Sequence, residues 1–246
     1  MSANQGIDQP QAPTLFSTES RAMTTTSGLD IPPGYQRGIR FGANWTLITS
    51  PYMILYLIVV LVVGLNDSGS IGQMLEFAGT SRVAFGATVL LDGLSHVLFF
   101  VTFVTLFALL RVRWPVRASL ILVCGAWQMI IGFTKALSSF FTFTSLGAAY
   151  VAGDTALRAT LIPVAAGADG LRQALQRMDS FGVAIIWVSI SLLPRESGLP
   201  RAVRWLGWIL AFALLGPDPG FLLVIILGPV WAVLVGLWLK RLLAGK

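Results

Sequence analysis

Residues 83–110 read VAFGATVLLDGLSHVLFFVTFVTLFALL, and Asp92 and His96 are the only ionisable side chains in this stretch. A helix needs about 20 apolar residues to cross the hydrocarbon core of a bilayer. The stretch is longer than that, so it predicts a helix that spans a membrane with some tilt.

The composition of the whole chain also indicates that most of it is embedded in a lipid bilayer. Of 246 residues, 55% are hydrophobic and 11% are charged, and the mean hydropathy is +0.77. Soluble domains usually contain about 25% charged residues. The net charge of +6 does not indicate a nucleic-acid partner, because the cations are dispersed between apolar blocks and form no basic face. The lipid bilayer is the expected partner.

Five further apolar segments follow the pattern of residues 83–110. Together the six predict an all-α, polytopic bundle of about six transmembrane helices within residues 44–243. The other five segments cover residues 45–65, 116–137, 181–193 (extended backwards through Leu171), 203–215 and 221–239. Residues 1–43 are polar and predict a disordered cytoplasmic tail. Residues 138–180 predict an extracytoplasmic cap, the alternative being a seventh span within residues 140–166 that would place Asp154 and Arg158 in the bilayer.

The positions of the cations predict the orientation. Lysine and arginine collect in cytoplasmic segments of membrane proteins. Here they cluster in four places, at the N-terminal side, in two connections and at the C-terminal end: Arg21, Arg37, Arg40; Arg111, Arg113, Arg117; Arg195, Arg201, Arg204; Lys240, Arg241, Lys246. This alternation predicts a multi-pass protein of the cell inner (plasma) membrane with both termini in the cytoplasm.

Polar side chains inside the second and third predicted spans form the candidate site. Asp92 and His96 lie four residues apart and share one helix face, with Ser95 beside them. Ionisable groups at such a depth are costly and indicate a functional site. The pair predicts either a proton relay or a hydrogen bond that joins two helices. On the third span, Gln128 lies at similar depth, and Lys135 either pairs with Asp92 or extends to the outer headgroups.

Small residues recur every four positions on the sixth predicted span, at Gly228, Ala232 and Gly236. Such a stripe lets another helix approach closely. It predicts a packing surface, for a helix of this chain or for a homo-oligomer or membrane-complex partner. Four tryptophans near the ends of the last two spans are expected at the membrane interface: Trp205, Trp208, Trp231 and Trp238.

The connection into the fifth span resembles a known bacterial family. The residues are LLPRESGLPR at 192–201 and WLGWIL at 205–210. Ser197, Pro200, Arg201, Leu206 and Gly207 are similar to the "Ser-x-x-Pro-Arg/Lys…Leu-Gly" stretch of the family catalogued as domain of unknown function 4386, with a slightly wider gap between Arg201 and Leu206. The resemblance implies six helices and a long connection after the third. It implies no activity.

Three functions are compatible with this sequence. The first is a non-enzymatic membrane protein, either a small carrier or an accessory or sensor subunit. The second is a proton-coupled transporter that uses the Asp–His pair, and the third is a membrane-embedded enzyme for a lipid-like substrate. No catalytic motif is present, and one cysteine and one histidine predict neither a metal centre nor a cofactor.

Overall fold

The computed structural model describes residue 31 and residues 33–63, 69–216 and 219–244, and within these the fold is all-helical. Seven α-helices and one 3-10 turn occur there: α1 Pro33–Val63, α2 Ile71–Thr80, α3 Arg82–Leu110, α4 Pro115–Ala152, α5 Thr155–Ser191, the turn Arg195–Ser197, α6 Arg201–Leu215 and α7 Pro219–Leu243. Short connections join α3 to α4 and α4 to α5, so these helices run antiparallel to their neighbours.

Four described helices are long and apolar enough to cross a membrane: Gly34–Leu61, Arg82–Leu110, Pro115–Ala152 and Leu223–Leu243. The chain is therefore a helical membrane protein with several candidate spans. The helix α6 has only 15 residues, about 22 Å of length. The helix α5 includes Arg158, Asp169, Arg172, Arg177 and Asp179 along its length. Neither helix is among the four candidate spans, α6 because of its length and α5 because of these charged residues.

The cationic segments meet at one end of the bundle, which we call the cationic end. The guanidinium of Arg113 lies 2.9 Å from the Glu196 carboxylate and joins the α3–α4 connection to the α5–α6 connection. Arg111 donates to the Tyr35 hydroxyl in the first turn of α1. At the end of α7, the Trp238 indole nitrogen lies 4.0 Å from the position that a Cβ of Gly198 would occupy.

One hydrophobic core fills the bundle towards this end. It contains buried side chains from α1 and from every helix from α3 to α7, with Phe103, Leu110, Ile190, Leu210 and Trp231 among its largest members. The predicted interfacial position of Trp231 and Trp238 is wrong, because both side chains are buried in this core. Trp205 alone of the four is mostly exposed, at 69%.

Glycines allow α3 and α4 to pack at close range. A Cβ on Gly93 would come within 2.8 Å of the Ala136 Cβ, and a Cβ on Gly125 within 2.7 Å of the Phe103 ring. Real Cβ atoms do not approach that closely, so the two helices rely on the missing side chains. This contact brings the polar residues of α3 directly against α4.

The helices α4 and α5 extend well beyond the bundle core. Their 38 and 37 residues correspond to about 55 Å each, which exceeds the ~45 Å thickness of a bilayer with its headgroups. Residues 138–180 continue these two helices as a hairpin, so neither a helix end near residue 137 nor a separate helix over 140–166 occurs. The extracytoplasmic position of this hairpin stays a prediction.

Two side chains close the tip of the hairpin at residues 153–154. The Asp154 carboxylate accepts from the Leu157 backbone N–H at 2.8 Å and caps α5. The Arg158 guanidinium donates to the backbone carbonyls of Tyr150, Val151 and Gly153 at the end of α4. Asp154 and Arg158, which a seventh span would place in the bilayer, each satisfy a helix end at this tip.

A short helix, α2, packs on the hairpin. The Ser70 hydroxyl accepts from the Gln73 backbone N–H and the Gln73 side chain accepts from the Ser70 N–H, a capping box. Gly79 and Gly147 let α2 lie against α4, since a Cβ on either glycine would come within 2.7 Å of backbone atoms of the other helix. The sequence analysis missed α2, although the Ser-x-x-Gln pattern is a sequence signal for a helix start.

The helix α1 begins at Pro33, about ten residues before the predicted start of the first span. Ile39 and Ala43 lie four residues apart on its early turns and are both buried in the main core. Tertiary packing thus makes this polar-looking stretch helical. The rest of the predicted tail, residues 1–30 and 32, lies outside the described residues.

Candidate functional site

A cavity of about 90 Å³ lies between the helices of the bundle, with a cluster of polar side chains on an otherwise apolar wall. All five candidate polar residues of the sequence analysis line it: Asp92, Ser95, His96, Gln128 and Lys135. Tyr56 of α1 and two residues of α5, Gln176 and Asp179, line it as well. Side chains from α1, α3, α4 and α5 therefore converge on one point inside the protein.

Lys135 and Asp92 form the predicted ion pair. The Lys135 ammonium lies 2.8 Å from Asp92 Oδ2, with 6% of the lysine side chain and 24% of the aspartate side chain exposed. The ammonium also donates to Gln176 Oε1 at 2.5 Å, and the Tyr56 hydroxyl donates to Asp92 Oδ1 at 3.5 Å. The lysine does not extend to the outer headgroups, because its charge is neutralised inside the bundle.

His96 lies between two carboxylates. Its Nε2 is 3.8 Å from Asp92 Oδ1, one turn away on α3, and its Nδ1 is 3.6 Å from Asp179 Oδ1 on α5. The side-chain amide of Gln128 makes a short contact with Nδ1. At these distances the two carboxylates are ion-pair neighbours of the single histidine and are not its direct hydrogen-bond partners.

Gly132 makes room for the imidazole. A Cβ at this position would lie 2.4 Å from the ring atoms of His96. The ring therefore packs flat against the backbone of α4, where only glycine fits. The sequence did not single out Gly132, which lies one turn before Lys135 and Ala136. Its role depends on the register between α3 and α4, which the sequence does not show.

Asp179 lies in the cavity although the sequence did not single it out. Its side chain is 4% exposed and faces His96. The backward extension of the fourth predicted span through Leu171 includes this residue, but the apolar pattern does not show which face of the helix is buried.

Several polar atoms in this cavity have no hydrogen-bond partner among the described residues. They are His96 Nε2, Gln128 Oε1 and Asp179 Oδ1, and all three are buried. A buried polar atom without a partner costs about 1–3 kcal/mol. Two of the three are oxygen acceptors, so the cavity is suited to a small guest that donates hydrogen bonds.

Charge balance in the cluster depends on one proton. The Asp92–Lys135 ion pair cancels its own charge, which leaves His96 and Asp179 facing each other. This second pair is neutral overall only when it holds one proton, either on the imidazole or on the carboxyl group. Because an uncompensated charge in this environment is expensive, the arrangement favours retention of that proton.

The small residues of α7 have two different surroundings. A Cβ on Gly236 would lie 2.8 Å from the Leu47 side chain of α1, and Ala232 is buried. Gly228 instead has no atom within 4 Å of its Cβ position and lines the polar cavity. Between them, the Ser50 hydroxyl of α1 donates to the Pro229 carbonyl at 2.9 Å. In this chain the stripe therefore packs on α1 and ends at the cavity.

The described residues contain no cluster of three or more histidine, cysteine, aspartate or glutamate side chains placed to hold a metal ion. No protein-family model, no curated protein and no solved structure matches the chain. The resemblance to domain of unknown function 4386 therefore stays a prediction.

Proposed function

We propose that the chain is a non-enzymatic integral membrane protein that works as a small proton-coupled carrier. The observation that supports this most is the convergence of two carboxyls, an ammonium and an imidazole on one cavity between helices. Intramembrane ionisable groups of this kind are typical of ion and proton pathways. A structural ion pair alone needs neither the cavity nor the second carboxyl, Asp179.

The solute that fits this cavity is compact and bears a hydrogen-bond donor. A volume of about 90 Å³ accommodates on the order of three water molecules. The unpartnered oxygens of Gln128 and Asp179 accept hydrogen bonds, so an ammonium or small amine is better matched than a carboxylate. Proton and solute are coupled because both use the Asp179 carboxyl.

We also infer six membrane crossings with both termini in the cytoplasm of a bacterial inner membrane. In this arrangement α1, α3, α4, α5, α6 and α7 cross, and the cationic end faces the cytoplasm. The resemblance of the α5–α6 connection to domain of unknown function 4386 agrees with six helices. A periplasm-active reporter fused after Lys246 is expected to be silent, and activity there contradicts this topology.

The carrier is tested in proteoliposomes on a solid-supported membrane. Ammonium, methylammonium, glycine and acetate are applied in turn at several pH values while the capacitive current is recorded. We expect a current for ammonium or methylammonium that depends on pH in the wild type. Absence of current for all four solutes contradicts the proposal.

Two variants and a matched control connect the current to the cavity. His96→Gln and Asp179→Asn are expected to reduce the current at least tenfold, because each removes a member of the proton-sharing pair. Asp169→Asn is the control, since Asp169 lies on the same helix but bonds only to Arg172 and Gln173 of that helix. Equal currents in all three variants contradict a role for the cavity.

A further inference from the structure

A second, basic cleft lies at the cationic end where α6 begins. Its volume is about 450 Å³, and Arg195, Arg201 and Arg204 line it. Within the described part of the chain, Arg195 and Arg201 are exposed and pair with no carboxylate. The neighbouring Glu196 does not neutralise them, because its carboxylate pairs with Arg113. The cleft therefore has a positive charge that nothing in this part of the protein compensates.

The donors of Arg204 are already used. Its guanidinium donates to the carbonyls of Leu193 and Pro194 beyond the end of α5 and thereby fixes the wall of the cleft. Ser191 also lines the cleft, but its buried hydroxyl packs against Gly207 of α6 and has no hydrogen-bond partner among the described residues.

The start of α6 adds further donors. The helix begins at Arg201, and no side chain caps its first turn. Free N–H groups and the helix dipole at such an end favour an anion. The anion would meet two exposed guanidinium groups, those of Arg195 and Arg201, and these N–H groups in one place.

An apolar groove continues from the basic cleft along α6. It has a volume of about 670 Å³ and shares Trp205 and Trp208 with the cleft. Beyond the tryptophans it is lined by apolar side chains, among them Ile209 and Phe212 of α6 and Leu223 of α7. Indole side chains at the boundary between a charged and an apolar region are typical of the membrane interface.

We propose that the cleft and the groove together bind one anionic phospholipid. The headgroup phosphate lies between Arg195 and Arg201, and an acyl chain follows Ile209 and Phe212. Basic pockets between transmembrane helices bind anionic headgroups in this way. A free phosphate would use only the cleft, whereas the apolar groove that continues it matches a lipid.

Brominated lipids test this site on the full chain in detergent. Bromine quenches nearby tryptophan, so dibrominated phosphatidylglycerol is titrated against dibrominated phosphatidylcholine. The wild type is expected to bind the anionic lipid more tightly. Arg195→Gln/Arg201→Gln is expected to weaken that preference by about fivefold for each arginine removed.

A matched control removes two other arginines from the same end. Arg37→Gln/Arg40→Gln takes away the same charge from the exposed surface of α1 and is expected to keep the preference. If this control loses as much affinity as Arg195→Gln/Arg201→Gln, net charge explains the binding and the site is overturned. The site is equally overturned if the wild type binds both lipids alike.

Two further measurements do not depend on the arginine variants folding. Trp205→Phe/Trp208→Phe is expected to lose most of the anionic-lipid quenching, and unchanged quenching places the lipid elsewhere. Inorganic phosphate and glycerol 3-phosphate, at constant ionic strength, are expected not to displace the brominated lipid. Displacement by either shows that the cleft binds free phosphate and contradicts the lipid.

Discussion

Replacing Asp92 with asparagine is the sharpest test of the buried cluster. The change removes the carboxylate that lies 2.8 Å from the Lys135 ammonium and keeps the side-chain shape. Lys135 then retains Gln176 as a hydrogen-bond acceptor but loses its nearest negative charge. The lysine side chain is 6% exposed, so bulk water does not solvate the unpaired ammonium.

The size of the effect follows from the burial of the pair. Removing one partner of a buried ion pair typically costs about 3–5 kcal/mol. Because 24% of the Asp92 side chain is exposed to the cavity, we expect the lower end, about 3 kcal/mol. Lys135→Met should cost about 2 kcal/mol, since Asp92 keeps Tyr56 and His96 nearby. The double variant has no uncompensated charge, so we expect a coupling energy of about 2–3 kcal/mol.

The free energy of unfolding is measured by titrating sodium dodecyl sulfate into detergent micelles and following helix content by circular dichroism. The control is the exposed Arg113–Glu196 pair, for which Arg113→Gln and Glu196→Gln should couple by less than about 1 kcal/mol. If the effects of Asp92→Asn and Lys135→Met are additive, the two side chains do not form a buried ion pair.

Three other substitutions probe the surroundings of the cavity and the ends of the bundle. Gly132→Ala should displace the His96 ring and cost about 1–3 kcal/mol of unfolding free energy. The imidazole ¹⁵N resonances, which come from the single histidine, should shift. Unchanged resonances contradict the packing of the ring against Gly132. Gly147→Val should separate α2 from α4, seen as faster amide hydrogen exchange over residues 71–80, whereas wild-type exchange there is the contrary result. Arg204→Gln removes the guanidinium that donates to the carbonyls of Leu193, Pro194 and Leu199 and should lower stability by about 1–3 kcal/mol. Arg201→Gln, at an exposed position, should change stability little.

The apolar segments of the sequence predicted the helices well where both their length and their composition are those of a membrane span. The stretch 83–110 is α3, within one residue at its start. The Lys135–Asp92 pair is one of the two alternatives that the sequence leaves open for Lys135, because the short connection between α3 and α4 makes these helices neighbours. Local pattern predicts the helix α3 and limits the partners of Lys135, but it does not choose between the two alternatives.

Features that depend on tertiary packing were not predictable in the same way. The burial of Asp179 depends on how α5 packs against α3 and α4 around His96. The helix α1 starts earlier than predicted because Ile39 and Ala43 are buried in the main core. Both stretches are too polar to indicate burial by themselves, and only the neighbouring helices make them part of the bundle.

Access of the cavity to water on both sides of the membrane is the central requirement of a carrier. Cys124 is the only cysteine, so Cys124→Ala gives a background without thiols. Ser95 lines the cavity, and Ser95→Cys introduces one thiol there with little change in volume. Leu94→Cys is the matched control, because Leu94 is the residue next to Ser95 and its side chain is exposed on the outer face of α3.

The decisive measurement is the rate at which a small, membrane-impermeant methanethiosulfonate reagent modifies Ser95→Cys in right-side-out and in inside-out vesicles. A carrier opens its site to each side in turn, so we predict modification in both preparations, with Leu94→Cys much slower in each because its thiol faces lipid. Modification from one side only, or from neither, contradicts a carrier and identifies the buried cluster as a structural element of the helix bundle.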